Sequence, residues 1–249
     1  MAINKNGVNQ QAVEQAIAHS LEEFYNSLLE KIDTINISDI MKRKNPYLYR
    51  AKAIQSASEI VESVLSATVS SSEETIFGNC FFEPLAIAAS GGNKALAEGV
   101  DIMVDDRVNN TIYAIAVKSG PSVFNADSKK RQEQNFNAAR KLAQQAKAIY
   151  EPIIGYSYGK KRPSGKGRPT IYRELAGQDF WAELTGEQDF YLKIIQYMGN
   201  KPEQYLEKYR ESYSKASNRL VKQFTENFCD DDGSINWDRL VRFNSGYDE

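Results

Sequence analysis

Asp101 and Lys118 are the residues whose types and placement could do chemistry. Asp101 sits inside the apolar, β-rich run Gly99-Val100-Asp101-Ile102-Met103-Val104, and Lys118 ends the second run, Thr111-Ile112-Tyr113-Ala114-Ile115-Ala116-Val117. A charge in such a run needs a partner or a task that offsets its burial. Asp105 to Asn110 supply turn chemistry between the runs, so the pattern predicts a β-hairpin with Asp101 and Lys118 near one end of the ribbon. Ala116 and Lys118 are two apart and share a strand face. An acid on one strand and an x-Lys ending on the next form the skeleton of a metal-dependent phosphodiesterase. The acid binds Mg²⁺, the bound ion polarises the phosphate and lowers the pKa of a water, and the lysine steadies the hydroxide or the developing phosphorane charge. The usual second acid would stand at position 116, where this chain has Ala116. Taken by spacing alone, the pattern has a competing reading as a structural hairpin whose Lys118 extends its stem towards water.

Two other acids are candidates for the missing carboxylate. Glu83 belongs to a predicted helix before the hairpin, where Ile76, Cys80 and Ile87 stand at helical spacing on its face. A carboxylate on an apolar stripe is a candidate for function, although Pro84 kinks or restarts the helix and leaves the direction of Glu83 open. Glu133 belongs to the helix after the hairpin, which the sequence caps at Asp127 or Ser128. That helix runs to about Tyr150 with the stripe Phe136, Ala139, Ala143, Ala146 and Tyr150. Glu133 heads this stripe, close to the loop that leaves Lys118.

The elements that must position these groups read as helix, strand, strand, helix, strand. The third strand is Pro152 to Tyr158, and Thr170 to Leu175 can return as another, which makes a mixed αβ sheet. Around it stand an amphipathic helix over 9–32, a second over about 51–67, a helical region from Phe180 to Met198 and a long helix over about 202–228. Ser71-x-x-Glu74 has the form of a capping box and predicts a new helix start. Asn236 is expected to cap a last helix after the stop at Asp230 to Gly233.

Composition narrows the chemistry. The chain has 249 residues and a net charge of −2, yet residues 127–168 carry eleven basic residues against three acids, a local +8. A basic block in an otherwise acidic chain suggests a polyanion held on one surface. Candidate contacts to such a polyanion are Lys129, Lys130 and Arg131 at the helix start, and Lys160, Lys161 and Arg162 in the Gly-Lys-Arg-rich loop over 159–169, whose glycines let backbone approach a phosphate. Ser119, Gly120 and Asn125, in the loop after Lys118, are counted with them. A solvated hairpin tip is the competing account of the basic loop. Cys80 and Cys229 fit no Cys-x-x-Cys pattern and His19 is the single histidine, which argues against zinc sites, histidine nucleases and Ser-His-Asp triads. The N-terminus has no apolar signal region and no run has the length of a membrane span, so a cytoplasmic chain without a membrane partner is expected.

The whole chain resembles the PmeII-like family of type II restriction endonucleases, built on the PD-(D/E)XK nuclease fold. The resemblance rests on Lys42-Arg43-Lys44-Asn45-Pro46-Tyr47-Leu48-Tyr49-Arg50-Ala51-Lys52, Ser71 to Gly78, Glu98-Gly99-Val100-Asp101, Val117-Lys118-Ser119-Gly120-Pro121, Gly177 to Trp181, Phe228 to Gly233 and Arg242 to Gly246. It implies an α/β restriction-endonuclease-like core, a mixed central sheet flanked by helices, over 71–200. A helical N-terminal region, 1–70, and a helical C-terminal region, 201–249, would be added to that core. It further implies Asp101 as a metal ligand, Lys118 as the catalytic lysine, and a second metal-binding acid drawn from Glu133 or Glu83. Ala116 departs slightly from this family, where a serine replaces the glutamate, and more from the wider superfamily.

The resulting expectation is a Mg²⁺-dependent, sequence-specific endonuclease of double-stranded DNA. It would act as a homodimer and have a cognate DNA methyltransferase in the same host. Two rivals share the fold: a DNA-binding protein made inactive by Ala116, and a structure-specific repair nuclease.

Overall fold

The computed structural model describes residues 2–161 and 171–246. The chain divides into two units, Met1–Phe24 with Phe77–Pro202, and Tyr25–Ile76 with Glu203–Glu249. The hairpin belongs to the first.

In element order the chain forms α1 (Gln10–Thr34), α2 (Ile37–Met41), α3 (Pro46–Ala51), α4 (Ala57–Cys80), α5 (Phe82–Ser90), β1 (Asn93–Lys94), β2 (Ile102–Asp106), β3 (Thr111–Lys118) and α6 (Ala126–Gln145). It continues with β4 (Ile149–Tyr156), β5 (Arg173–Ala176), α7 (Gln178–Thr185), α8 (Phe190–Met198), α9 (Glu203–Phe228) and α10 (Trp237–Ser245). The five strands make one mixed sheet in the order β1-β2-β3-β4-β5. β1, β2 and β3 pair antiparallel, whereas β3, β4 and β5 run parallel. The expected mixed αβ architecture is therefore observed.

Both faces of the sheet are covered. On one, Ala114, Ala116 and Ile154 pack with Phe136 and Ala139 of α6. Small residues on β3 let α6 lie close. On the other, Gly155 sits beneath α7, where a Cβ would stand 2.0 Å from a ring carbon of Phe180. Alternation along β4 thus sends Ile154 and Tyr156 towards α6 and leaves Gly155 for α7.

Several local expectations are corrected. No helix starts at Ser71, because α4 runs unbroken through it. Thr68, Ser72 and Thr75 instead donate their hydroxyls to the carbonyls four residues earlier, at 2.7, 2.8 and 3.0 Å, an option that keeps such residues inside a helix. Pro84 does restart the chain: α4 ends at Cys80, and α5 begins two residues before the proline, which cannot donate a backbone hydrogen bond. Asp105 and Asp106 belong to β2 and not to the turn. Asp106 is buried and accepts from Asn109 N at 3.1 Å and Nδ2 at 2.7 Å, so it braces the turn from within the strand.

The helix after the hairpin stops at Gln145, and Lys147 adopts φ 54, so Tyr150 lies in β4. Its hydroxyl donates to Phe136 O at 2.9 Å, and burial raises its pKa to about 12. The single helical region expected over 180–198 is two helices, parted at Gly186 with φ +83.

In the second unit α9 buries Ser212, Ala216, Leu220, Phe224 and Phe228 at helical spacing. Arg219 donates to Ile32 O at 3.0 Å, while Asn244 of α10 donates to Met41 O and Lys44 O, both at 2.8 Å. Asn236 caps α10 as expected, accepting from Arg239 N at 2.8 Å.

Candidate active site

The turn Glu98-Gly99-Val100-Asp101 is held by α6 before it enters β2. Gln132, itself buried, donates to Gly99 O at 2.6 Å. Gly99 has φ +68, and a Cβ there would stand 2.1 Å from Asn135 Nδ2, so both the backbone angle and the close approach demand glycine. Asp101 then continues the ladder, donating its N–H to Ile115 O at 2.9 Å, which sets it opposite Ala116.

The Asp101 side chain is mostly buried, with 20% exposure, and its two oxygens differ. Oδ2 accepts the backbone N–H of Val117 at 2.6 Å and the ammonium of Lys118 at 3.2 Å. Oδ1 accepts no hydrogen bond among the described residues. Lys118 Nζ also donates to Val117 O at 2.9 Å, which commits two of its three protons. Asp101 and Lys118 are therefore brought together at one end of the ribbon, with one carboxylate oxygen and one ammonium proton left for other partners. Ala116, fully buried among apolar residues, offers no donor between them.

Of the two other acids, Glu83 lies in the first turn of α5, with α5 packed on β2 and β3. Its Oε1 receives Lys94 Nζ at 3.0 Å. The hydrogen bond and charge of Glu83 raise the Lys94 pKa, and the charge of Asp101 adds to them. The Lys94 ammonium is thus a cation held by Glu83 within the field of Asp101, a point that no sequence motif marks. Glu133 is half-buried on α6, and its charge acts on Tyr172, whose hydroxyl also feels Lys129 and Glu174.

Tyr172 belongs to a second polar group on the same face. Through the register Ala116↔Ile154↔Glu174, Glu174 lies in the row of Asp101, roughly 14 Å away across three strand spacings. Glu174 accepts from Lys161 at 2.7 Å and from Tyr156 OH at 3.0 Å, and Lys129 stands 3.6 Å away. Burial works against the Glu174 carboxylate, yet Lys161, Tyr156 and Lys129 together bring its pKa below the ordinary value. Glu174 went unnoticed in the sequence because a lone acid in a short strand carries no pattern.

The donor set suits Mg²⁺. That ion takes one or two carboxylates and keeps several waters, and Asp101, with its free Oδ1, and Glu83, whose Oε1 receives Lys94, are the carboxylates that could hold it. Among the described residues no group of three His, Cys, Asp or Glu side chains is gathered to hold a metal.

A model of the type II restriction endonuclease EcoO109I family matches residues 11–226. The chain belongs to that family. No curated protein matches it. In this member of the EcoO109I family, no described helix is long and apolar enough to cross a membrane.

The remaining candidate residues are scattered over the first unit of this restriction-endonuclease chain. Ser119 lies against α4: a Cβ on Gly78 would stand 2.5 Å from its Oγ. Gly120 is buried beneath the Tyr158 ring. Asn125 is the helix cap in place of Asp127 or Ser128, its Oδ1 accepting from Ser128 N at 2.8 Å while its own N–H donates to Ser128 Oγ at 3.0 Å. This reciprocal pair leaves the Asn125 side chain committed to α6. Lys130 and Lys160 are exposed, Arg131 pairs with Glu98 at 2.7 Å, and Lys129 and Lys161 converge on Glu174. Arg162 and the rest of the basic loop to residue 170 lie outside the described residues.

Proposed function

We propose that this member of the EcoO109I family is a Mg²⁺-dependent, sequence-specific restriction endonuclease that hydrolyses phosphodiester bonds of double-stranded DNA. Its core, over 71–200 and of the PD-(D/E)XK kind, would stand between the helical regions 1–70 and 201–249, and its resemblance is to the PmeII-like branch. The observation that carries the reading is the Asp101–Lys118 pair at the end of the hairpin in a chain of this family.

Asp101 Oδ1 and Glu83 would hold the ion. Bound there, Mg²⁺ supplies charge neutralisation at the phosphate and a water of lowered pKa. Lys118, fixed by Asp101 Oδ2 and Val117 O, directs its remaining proton at the attacking oxygen or at the phosphorane charge. The Lys94–Glu83 ion pair favours Glu83 as the second ligand, and the position of Glu133 beside Tyr172 favours it less. Exposed Lys130 and Lys160, with Arg131 and Arg162, would bind the duplex backbone. The protein would work as a homodimer in the cytoplasm beside a cognate methyltransferase.

Ala116 supports a second reading, a DNA-binding protein without cleavage, because the position of the usual acid is buried and apolar. One experiment separates the two. Long unmethylated DNA is digested with Mg²⁺ by this chain and by Lys118→Ala. Discrete fragments from the first only are expected, with a rate loss of about 10²–10³ or more in the variant. Intact DNA with every divalent metal, alongside a clear gel shift, overturns the nuclease reading.

A further inference from the structure

A cavity of about 950 Å³ opens in the first unit, on the sheet face away from α6. Its size lies at the upper end of small-ligand pockets, about 300–1,000 Å³. It is contiguous with the loop that follows Lys118: Tyr158, on its wall, donates its backbone N–H to Ser119 O at 3.0 Å and lays its ring over Gly120. The other walls are aromatic, from Phe77 and Phe82 on one side to Trp181 and Tyr191 on the other. The rings of Phe82 and Tyr158 stand 6.1 Å apart at 48°.

Among these apolar faces is one unsatisfied polar group. Ser157 lines the cavity with 5% exposure, and its Oγ has no hydrogen-bond partner among the described residues. Its carbonyl, in contrast, is satisfied by Trp181 Nε1 at 2.8 Å. Strand alternation turns Ser157 away from the Tyr156–Glu174 group and towards α7. A buried hydroxyl without a partner is costly unless a ligand completes it. Exposed Lys160 at the rim adds positive charge for a phosphate trailing from such a ligand, Asp179 is an exposed acid on the same lining, and Lys161, also lining the cavity, is paired with Glu174 at 2.7 Å.

Planar aromatic walls, the unpartnered Ser157 hydroxyl and polar groups at the rim together match a nucleobase on its sugar-phosphate. We propose that this cavity receives a base drawn out of the stack of the bound DNA. The proposal rests on the nuclease reading for its source of bases. The chemistry of the pocket is independent of cleavage.

The test uses the full chain carrying Trp237→Phe, which leaves Trp181 as the only indole. The four deoxynucleoside monophosphates are titrated while Trp181 emission is followed, with deoxyribose 5-phosphate as control. At least one nucleotide should give a saturable change that the sugar phosphate does not. Ser157→Val and Tyr158→Ala should each weaken binding several-fold, with the Tm of each reporting that the fold survives. A silent titration to tens of millimolar, an equal response to the sugar phosphate, or indifference to both substitutions overturns the pocket. A duplex bound without divalent metal should lower the apparent nucleotide affinity tenfold or more. Undiminished nucleotide binding would mean that the pocket takes free nucleotides and would overturn the DNA source. Digestion, measured separately, decides the nuclease reading: cleavage with a silent titration removes only the pocket, and displacement by DNA without cleavage sustains the pocket while removing the nuclease.

Discussion

The backbone N–H of Val117 donates to Asp101 Oδ2 at 2.6 Å, tying the candidate metal ligand to the strand that carries Lys118. Asp101 thereby has a structural task and a chemical one, and substitutions should separate them. Asp101→Asn can still offer an oxygen to Val117 and should melt near the parent while losing cleavage. Asp101→Ala leaves that N–H unpaired, at a cost of about 1–3 kcal/mol, which corresponds to a Tm lower by roughly 3–10 °C. Equal melting of the two variants, followed by calorimetry, would remove the structural task.

The choice between the two remaining acids can be tested directly. Glu83→Gln should reduce cutting by about 10² or more if it removes a metal ligand, with DNA binding in a gel shift near normal. Glu133→Gln should cut within severalfold of the parent. The reverse ranking would transfer the second ligand to α6.

Lys94 is held at 3.0 Å by Glu83, one of the two carboxylates proposed to bind the ion. Its removal should relieve competition for the carboxylates. Lys94→Met is expected to reach half-maximal cutting at a several-fold lower Mg²⁺ concentration, read from a metal titration at fixed DNA. A higher requirement would instead make Lys94 part of the substrate-binding charge.

Glu174 has a pKa below its ordinary 4.5 in the folded chain, because Lys161, Tyr156 and Lys129 outweigh the burial that opposes its charge. A depressed carboxylate stabilises the fold above its unfolded pKa, and that contribution is lost as pH falls through the folded value. Glu174→Gln should therefore lower Tm near neutrality, and the difference from the parent should close below about pH 4.5. A gap that stayed constant from pH 7 to pH 3 would show that the charge contributes nothing.

By itself the sequence determined the hairpin, the placement of Asp101 and Lys118 near one end of it, and the mixed αβ order. Each of these follows from local signals: β-rich runs, a turn between them and helical periodicity. Local signals also misled. The hydroxyls of Thr68, Ser72 and Thr75 could bond within a helix as readily as end one, and only continuity with the flanking turns kept α4 whole. Tyr150 fitted a helical stripe until Lys147 turned the chain into β4.

Tertiary structure alone decided which side chains meet. Lys94 reached Glu83 because β1 pairs with β2 while α5 packs on the same strands. Lys129 and Lys161 converged on Glu174 because β5 lies parallel to β4, two strands from Ala116. Such meetings depend on which helix covers which face of the sheet. Spacing along the chain carries no record of that choice, which is made by packing between segments distant in sequence.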